Sequence, residues 1–514
     1  MPFIPSLVLR KLYQRSSLRN THRGVAFSLK NRLGEVMVLG VESFRLDGAP
    51  VALNRILAQL PKRSFTLDRL NADDALELAV GDRLSLVLDV EPLGEGEHTL
   101  EMVFVTAPFG RLRLKVEDTL ASRQHDPTHI PRSLDDDYAP AVVAQRQGFV
   151  EERCGVRLEH VKSHSFDPQC VAGNIENFFG VAQVPLGLAG PLKVDGEHAQ
   201  GDFYVPMATS EGTLVASYGR GMKVLHRCGG ARCSVVGDQM QRAPVFLFGD
   251  ARQARLFADW IKTHQQEIGR AAEATSRVAR LKHIEYYLVS RFVYLRFDYT
   301  TGDAAGQNMV SRATLAACNW ILEHYDAAIE DFYLESNLAT DKKSSMINII
   351  HSRGKRVTAE VTVDHETLWS LLRTTPERLH HHNGVANLGA FLSGANNNGL
   401  HAANGITAVF LATGQDVANV AEASAAMLYT EITREGALYL SITLPCLIVA
   451  THGGGTGLPT QRECLEMLGC YGVGKVYKLA EIVAATVLAG ELSLAAAISS
   501  DEWVSAHEKL GRHR

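Results

Sequence analysis

Residues 286–299 read "YYLVSRFVYLRFDY", and this stretch decides how the middle of the chain is expected to fold. It is rich in aromatic and β-branched residues, which predicts a β-strand. Residues 251–279 have charged and apolar positions at helical spacing, and residues 307–325 also read as a helix. With strands expected in "DFYLESN" and "KRVTAEVTV", the order between about 230 and 362 is β-α-β-α-β-β.

This order of elements is typical of a small α+β sandwich of the ferredoxin-like type. We expect such a subdomain at residues 230–345, inserted into a larger helical domain that spans residues 138–514. Alanine and glycine dominate that domain, and helices are predicted at 140–153 and at 474–498. The predicted fold class of the whole chain is therefore α+β.

The first part of the chain has a different pattern. Between residues 20 and 118, alternating or continuous apolar runs are separated by turn signals such as "DG" and "GEGE". About seven short strands predict a small β-sandwich domain at residues 1–118. Residues 119–137 are polar and contain prolines, so they are predicted to be a linker.

Composition excludes several classes of protein. The 514 residues are 46% hydrophobic, and the net charge of −5 gives no footprint for nucleic acid. No uninterrupted apolar run reaches the roughly 18 residues of a membrane-spanning helix. The eight cysteines form no C-x-x-C motif, which favours reduced thiols in a cytoplasmic protein.

The N-terminus is basic, with six Lys or Arg and no acid in the first 30 residues. A transit peptide would have this composition. A basic arm leading into the first strand is the alternative. We favour the arm because a strand pattern already begins at Gly24.

Four short segments later in the chain contain isolated charged residues. "PMATSEGTLVASYGRG" (206–221) has a single acidic residue, Glu211. "ATDKK" (339–343) places an acidic residue beside two lysines. "HAANGITAVFLATGQD" (401–416) ends in Asp416, and "WVSAHEKLGRHR" (503–514) contains His507. Each segment alone is a weak signal, because a single Glu often caps a helix and a terminal His is usually solvated. No G-x-G-x-x-G and no P-loop occurs, so a nucleotide would not bind through a Rossmann turn.

Together these segments resemble hydroxymethylglutaryl-CoA reductase, in its class I form. The same order continues in "ENFFG" (176–180), "VPLGLAGPL" (184–192), "GDAAGQN" (302–308), "GGGTGLPTQRECLEMLG" (453–469) and "AGELSLAAA" (489–497). The resemblance covers roughly residues 138–514. It implies a four-electron reduction of a thioester to an alcohol, in which hydroxymethylglutaryl-CoA becomes mevalonate and CoA with NADPH as reductant.

The resemblance implies roles for individual residues. Hydride attack places negative charge on the thioester oxygen, and Lys342 matches the lysine that meets this charge. His507 matches the group that protonates the CoA thiolate, and Glu211 matches the proton donor of the second hydride transfer. We expect Glu211 to be half-buried, which would help it to keep its proton. Asp416 is expected between Glu211 and Lys342, and Asn404 is expected to orient Glu211.

Further contacts are carried over from the same resemblance. The implied cofactor contacts are Asp303, Gly306, Asn308, Gly453, Gly454, Gly455 and Arg512. The implied substrate contacts are Arg242, Asp341, Lys343 and Asn404 for the acyl part, and Ser217 and Arg220 for CoA. NADPH is expected rather than NADH, and no metal is expected. The histidine run 380–382 is predicted to be an exposed helix end, because consecutive side chains on a helix point in different directions.

The sequence departs from the family where a free carboxylate of the substrate would be held. No Lys or Arg occurs between Arg378 and Arg434, and Ala386 stands where the family has a lysine. Glu335 stands where the family has a serine, and an acid there would repel a substrate carboxylate. Two alternatives are therefore open: a reductase of a different acyl-CoA or carrier thioester, and a non-catalytic scaffold.

The resemblance also implies that the protein forms an oligomer. The family's active site forms between two subunits, so a homodimer or a dimer of dimers is expected. The N-terminal domain loosely resembles the β-subunit of C-glycoside deglycosidases in "RNTHRGVAFSLKNRLG", "DGAPV" and "GEGEHTLEMVF". We expect it to serve in assembly or interaction.

Overall fold

A computed structural model gives the fold of this protein. It describes residues 9, 12–14, 17–31, 36–60, 63–71, 74–79, 81–107, 109–120, 130–133 and 136–500. The chain divides into two compact units, residues 1–129 and residues 130–514.

The described part of the first unit consists of two antiparallel sheets around one apolar core. One sheet has the order β1-β2-β8-β5-β6; the other has β10-β9-β3-β4, with β7 beside β3. The strands are β1 Arg19–Thr21, β2 Gly24–Lys30, β3 Val36–Leu46, β4 Ala49–Val51, β5 Ile56–Leu60, β6 Arg63–Thr66, β7 Leu76–Leu78, β8 Arg83–Leu88, β9 Gly96–Ala107 and β10 Gly110–Leu120.

Alternation along β10 explains how this core forms. Leu112, Leu114 and Val116 are buried, and the residues between them are exposed. The strand continues to Leu120, so the predicted linker begins two residues too early at 119. Residues 121–129 of that linker lie outside the described part.

The second unit contains both helices and strands. Its helices are α1 Pro140–Cys154, α2 Leu214–Arg227, α3 Ala251–Thr263, α4 Gln265–Glu273, α5 Gln307–His324, α6 Met346–His351, α7 His365–Leu372, α8 Pro376–Ser393, α9 Ala402–Thr413, α10 Val420–Ala423, α11 Pro459–Met467 and α12 Val476–Ser499. Its strands are β11 Leu186–Gly196, β12 Gln200–Ala208, β13 Ala231–Arg242, β14 Val245–Leu247, β15 Arg280–Val289, β16 Phe292–Thr300, β17 Asp331–Tyr333, β18 Gly354–Val363, β19 Met427–Ile432 and β20 Leu438–Leu447.

The stretch 286–299 forms two strands, not the single strand predicted. β15 and β16 pair as an antiparallel hairpin in which Val289 lies opposite Phe292. The two residues between them turn the chain, and Ser290 has a left-handed φ of 55°. Such turns usually contain Gly, Asn or Asp, so "SR" gave no signal in the sequence.

These strands belong to a ten-stranded sheet, which corrects the prediction of a largely helical domain. The path runs β17-β14-β16-β13-β18-β20-β19, with β15 beside β16 and β11 pairing with β12 and β13. β18, the last strand of the predicted β-α-β-α-β-β order, pairs with β13 and β20. The predicted single helix 251–279 is two helices that meet at His264.

Helix α12 is the core helix of this unit. It is long and apolar enough to cross a membrane by length and composition alone, but 83% of its most apolar window is buried inside the fold. Two buried carboxylates on it bind loop backbone. Glu481 accepts N–H bonds from residues 197–199, and Glu491 accepts them from residues 400–402 at 2.8 Å each. The helix therefore anchors the start of α9 as well as the sheet.

The close packing of α2 on α12 gives a first prediction. A Cβ on Gly221 would lie 1.9 Å from the carbonyl oxygen of Ala489, whereas a Cβ on Gly219 would meet nothing within 4 Å. Gly221→Ala should therefore lower the free energy of unfolding by about 1–3 kcal/mol or more, because two helix backbones must separate.

Gly219→Ala on the same helix is the matched control. It should be neutral or stabilising by up to about 1 kcal/mol, through helix propensity alone. Urea unfolding followed by tryptophan fluorescence measures both variants, because all four tryptophans lie after residue 137. Equal effects of the two substitutions would contradict this account of the packing.

Candidate functional site

Lys342 lies in the loop between β17 and α6 and has an unusual backbone conformation. Its φ is 58°, in the left-handed region that a lysine rarely adopts. Its Nζ lies 2.8 Å from Oδ2 of Asp416, and both side chains are about two-fifths exposed, at 42% and 38%. A strained backbone at an accessible charged residue is typical of a functional site.

A buried ion-pair network supports this loop from below. Arg353 and Glu422 are both fully buried, and Nε of Arg353 lies 3.1 Å from Oε2 of Glu422. Arg353 also donates through Nη2 to Oδ1 of Asp341 at 2.7 Å. The backbone N–H of Lys342 donates to Oε1 of Glu422 at 3.1 Å. Burial raises the pKa of Glu422 to about 7, against the opposing effect of the Arg353 guanidinium.

Gln307 connects the Lys342 loop to the predicted cofactor loop. It is the first residue of α5, and its Nε2 donates to Asp341 at 3.1 Å and to Asn419 at 3.0 Å. Gly306 before it has φ 90°, and a Cβ there would lie 2.2 Å from the Thr301 side chain. Glycine is therefore required at the start of this helix.

Asp303 has a structural role that the sequence did not reveal. Its carboxylate accepts hydrogen bonds from the backbone N–H groups of residues 474–476, at 2.8–3.2 Å, at the start of α12. Its carbonyl accepts from Thr451 and His452, just before the predicted glycine loop. Asp303 thus connects the loop before α5 to the loop before α12, as a helix cap does.

The glycine loop packs directly on the loop that ends in Asp416. A Cβ on Gly414 would lie 2.2 Å from the carbonyl oxygen of Gly455, and one on Gly455 would lie 2.5 Å from that of Gly414. Gly453 and Gly454 have φ of 82° and 58°, and a Cβ on either would meet nothing within 4 Å. The structure therefore brings together the loops at 301–308, 340–343, 414–416 and 453–455.

Glu211 and Asn404 line a different, open depression, whose lining does not include Lys342 or Asp416. Glu211 is exposed, so the expectation of a half-buried carboxyl is wrong for a single chain. Glu211 lies in the bend that follows β12, and its side chain faces solvent there. Asn404 donates through Nδ2 to Nδ1 of His401 at 2.9 Å, where orientation of Glu211 was expected.

His401 is a buried residue beside this depression. Its ring lies 4.7 Å from that of Tyr218, and Tyr218 donates a hydrogen bond to the His401 carbonyl at 2.6 Å. Because Nδ1 accepts from Asn404, Nε2 carries the proton, and it is buried without a partner among the described residues. Burial lowers the pKa of His401 to about 4, so the ring is neutral.

The residues predicted for CoA, Ser217 and Arg220, lie where α2 meets α12. Ser217 Oγ lies 3.2 Å from Oγ of Ser493. Arg220 donates to Oγ of Ser493 at 3.1 Å and to its carbonyl oxygen at 2.6 Å. Ser493 lies in the segment "AGELSLAAA", so two of the family-like segments meet here.

The predicted carboxylate-binding residues have partners of their own. Nη1 of Arg242 lies 2.9 Å from Oε2 of Glu335, and Nη2 donates to the carbonyl of Gln307 at 3.2 Å. Lys343 is exposed and donates to the carbonyl of Asp341 at 3.2 Å. Ala386 lies half-buried on α8.

Two predicted residues, His507 and Arg512, lie outside the described residues. The sequence reasoning missed Arg353, Glu422 and Gln307, which hold the Lys342 loop. Glu422 carries charge in a segment that is otherwise apolar or small, whereas Arg353 lies in the basic segment "HSRGKR" (351–356) and gave no such signal. A charged residue in such surroundings is the only signal that could have indicated Glu422.

Comparison with known proteins identifies the family of this chain. Residues 142–512 match the family described as hydroxymethylglutaryl-coenzyme A reductase. Residues 8–121 match the hydroxymethylglutaryl-CoA reductase N-terminal domain. The chain belongs to the hydroxymethylglutaryl-CoA reductase family. The looser likeness of the N-terminal unit to a deglycosidase subunit stays a prediction.

Particular relatives support this assignment. The 3-hydroxy-3-methylglutaryl-coenzyme A reductase of Methanothermobacter thermautotrophicus is 46% identical over 370 residues, covering 71% of this chain and 92% of that protein. That of Methanocaldococcus jannaschii is 42% identical over 389 residues, covering 74% and 96%. In fold, the chain is similar to the class II enzyme of Streptococcus pneumoniae bound to NADPH, with a TM-score of 0.53, 21% identity, and coverage of 68% and 92%.

The neutral, buried His401 gives a prediction about pH. Its pKa is about 4 in the fold and about 6.5 when unfolded. Between these values the unfolded chain binds a proton that the native chain does not, so stability is complete above pH 6.5 and falls as the pH falls towards 4. At pH 5 the loss should be about 2 kcal/mol relative to pH 7.

His401→Gln removes this titration, so its unfolding free energy should change less between pH 7 and pH 5 than that of the wild type. Urea unfolding by tryptophan fluorescence measures the difference. His365→Gln, at an exposed histidine, is the control and should retain the wild-type pH dependence. An identical pH dependence in His401→Gln and the wild type would contradict the prediction.

Proposed function

We propose that this protein reduces hydroxymethylglutaryl-CoA to mevalonate and CoA with NADPH. The observation that carries the proposal is the Lys342–Asp416 pair, in a chain of this family, on a strained loop held by a buried carboxylate. The relatives named above are reductases of 3-hydroxy-3-methylglutaryl-coenzyme A.

Lys342 supplies the cation that the reaction needs. When hydride reaches the thioester carbon, the carbonyl oxygen becomes negative, and an ammonium group within hydrogen-bond distance stabilises it. Asp416, 2.8 Å away, pairs with this ammonium group and orients it. Because Glu422 holds the backbone of Lys342, the ammonium is positioned before substrate binds.

Proton transfer requires further groups. Glu211 is the proposed proton donor for reduction of the aldehyde intermediate, with Asn404 lining the same depression. His507 is the proposed donor to the CoA thiolate as it leaves. Ser217 and Arg220 would contact the CoA moiety, on a helix fixed to α12 through Ser493.

Backbone rather than side chains would hold much of the cofactor. Gly453 and Gly454 leave open space where a Cβ would project, so a bound molecule can approach the backbone there. Gly306 and Asn308 lie at the start of α5, where free N–H groups favour an anion such as pyrophosphate. Asp303 would support both loops, and Arg512 would contact the 2′-phosphate. NADPH supplies the two hydrides when bound.

The four strands β17-β14-β16-β15 form the proposed ferredoxin-like cofactor subdomain. Their order is fourth, first, third, second along the chain, with α3 and α4 after the first strand and α5 before the fourth. The proposed extent remains residues 230–345, within a catalytic region at 138–514. The N-terminal unit is proposed to serve in assembly.

The separate positions of Glu211 and Lys342 support a second proposal, that the site is completed by another copy of the chain. Glu211 and Asn404 line one depression, and the Lys342 loop lies outside that lining. We propose a homodimer or a dimer of dimers. A cytoplasmic location is also proposed, supported by eight cysteines that are free of disulfides in the described part.

The central test mixes purified protein with NADPH and hydroxymethylglutaryl-CoA and follows the absorbance of NADPH. Lys342→Ala should lower kcat at least about a hundredfold, because the oxyanion loses its cation. Lys343→Ala, next in the chain, is the matched comparison and should mainly raise KM. Undetectable turnover by the wild-type protein, or equal kcat losses in both variants, would contradict the proposal.

Light scattering tests the assembly. At micromolar concentration the protein should have at least twice the mass of one 56.2 kDa chain. A monomeric mass in an active preparation would show that one chain contains a complete site.

A further inference from the structure

We propose that Glu335 is a specificity-determining residue that competes with the substrate's free carboxylate for the guanidinium of Arg242. The inference rests on the proposed function, in which the acyl group ends in a carboxylate. It concerns an ion pair within this chain.

Arg242 has the properties of a binding cation with unused capacity. Its side chain is only 11% exposed, and Nη1 lies 2.9 Å from Oε2 of Glu335. Nη2 donates to the carbonyl of Gln307. Nε is buried and has no hydrogen-bond partner among the described residues. A guanidinium can bind a carboxylate through two parallel N–H groups, and here a single contact to Glu335 leaves one donor unused.

The position of Arg242 relates it to the reacting group. The residue whose carbonyl it binds, Gln307, donates through its side chain to Asp341. Asp341 immediately precedes Lys342 in the chain. Arg242 is therefore two hydrogen bonds away from the loop that carries the proposed oxyanion-binding lysine. A short acyl group with its carbonyl at Lys342 is proposed to extend along this chain of hydrogen bonds towards Arg242.

Three other cationic side chains in or beside this loop already have partners within the chain. Arg353 is fully buried and holds both Asp341 and Glu422. Lys342 is paired with Asp416. Lys343 donates to a backbone carbonyl and is exposed to solvent. Arg242 is thus the partly buried cation best placed to recognise an anionic end group, and desolvation makes such contacts stronger than exposed ones.

Glu335 is held in its competing position. Its Oε1 accepts a hydrogen bond from the backbone N–H of Asn337 at 2.8 Å, in a turn where Asn337 has a φ of 70°. Its side chain is 34% exposed and pairs with the more buried Arg242. A substrate carboxylate must displace Glu335 or lie beside it, and two carboxylates on one guanidinium repel each other. The consequence is weaker substrate binding with little effect on the chemical step.

The test compares Glu335→Gln with the wild type. With hydroxymethylglutaryl-CoA as substrate, KM should fall about tenfold, kcat should change less than threefold, and the KM for NADPH should not change. Glu330→Gln is the control, because Glu330 forms an ion pair of the same length, 2.9 Å, with Arg291, and neither residue is a proposed substrate contact. It should leave all three constants unchanged.

A second substrate distinguishes competition from a general change in the site. The methyl ester of hydroxymethylglutaryl-CoA at its free carboxyl has no charge to meet Arg242. Glu335→Gln should leave its KM unchanged, so the preference for the acid over the ester should rise about tenfold. Glu335→Ser should act in the same direction, and thermal unfolding should show that all variants are folded.

The outcomes separate this inference from the proposed function. A wild-type protein that does not oxidise NADPH with either thioester overturns the proposed function. An active wild type whose KM for the acid is unchanged or raised in Glu335→Gln overturns the inference alone. An equal fall in KM for acid and ester also overturns it, because competition for a charge would then not be the cause.

Discussion

The candidate site depends on one buried guanidinium. Arg353 holds Asp341 on one side and Glu422 on the other, and Glu422 in turn holds the backbone of Lys342. Arg353 and Glu422 are both fully buried, so removing Arg353 would leave the carboxylates of Glu422 and Asp341 without their shared cation, at a cost of roughly 3–5 kcal/mol. This network fixes a lysine in a left-handed conformation that its own backbone disfavours. The backbone of Lys342 is thereby held in place while its side chain stays accessible to solvent.

The other loops of the site are positioned mainly by backbone. Gly414 and Gly455 are in contact at distances that exclude a Cβ, and Asp303 caps the core helix α12 through three N–H groups. Glu491 on the same helix holds the start of α9, next to which Asn404 lies. A single apolar helix therefore aligns two loops that approach it from distant parts of the chain. This arrangement explains why charged groups such as Asp303 and Glu491 hold loops in position in this unit.

The pattern of local elements was largely predictable. Helix α5 begins at the expected residue, and most predicted strands exist. The hairpin at 286–299 was missed because its turn contains Ser and Arg, which carry no turn signal, although tertiary pairing stabilises a positive φ at Ser290. β18 was counted with the ferredoxin-like strands, but it pairs with β13 and β20, and partners so far apart in the chain cannot be read from local sequence. Most strands predicted between residues 230 and 362 exist, but only their pairing shows their order within the ten-stranded sheet.

The family, the motif residues and the departures at Ala386 and Glu335 can be read from the sequence, because they depend on residue identity and order. Only the folded chain shows that Lys342 pairs with Asp416, that Glu211 is exposed in one chain, and that Glu335 contacts Arg242. Each of these depends on contacts between residues about 70 or more positions apart, or on burial. Neither the distance between such groups nor their exposure to water can be read from local sequence. Both determine how strongly a charged group interacts with its neighbours.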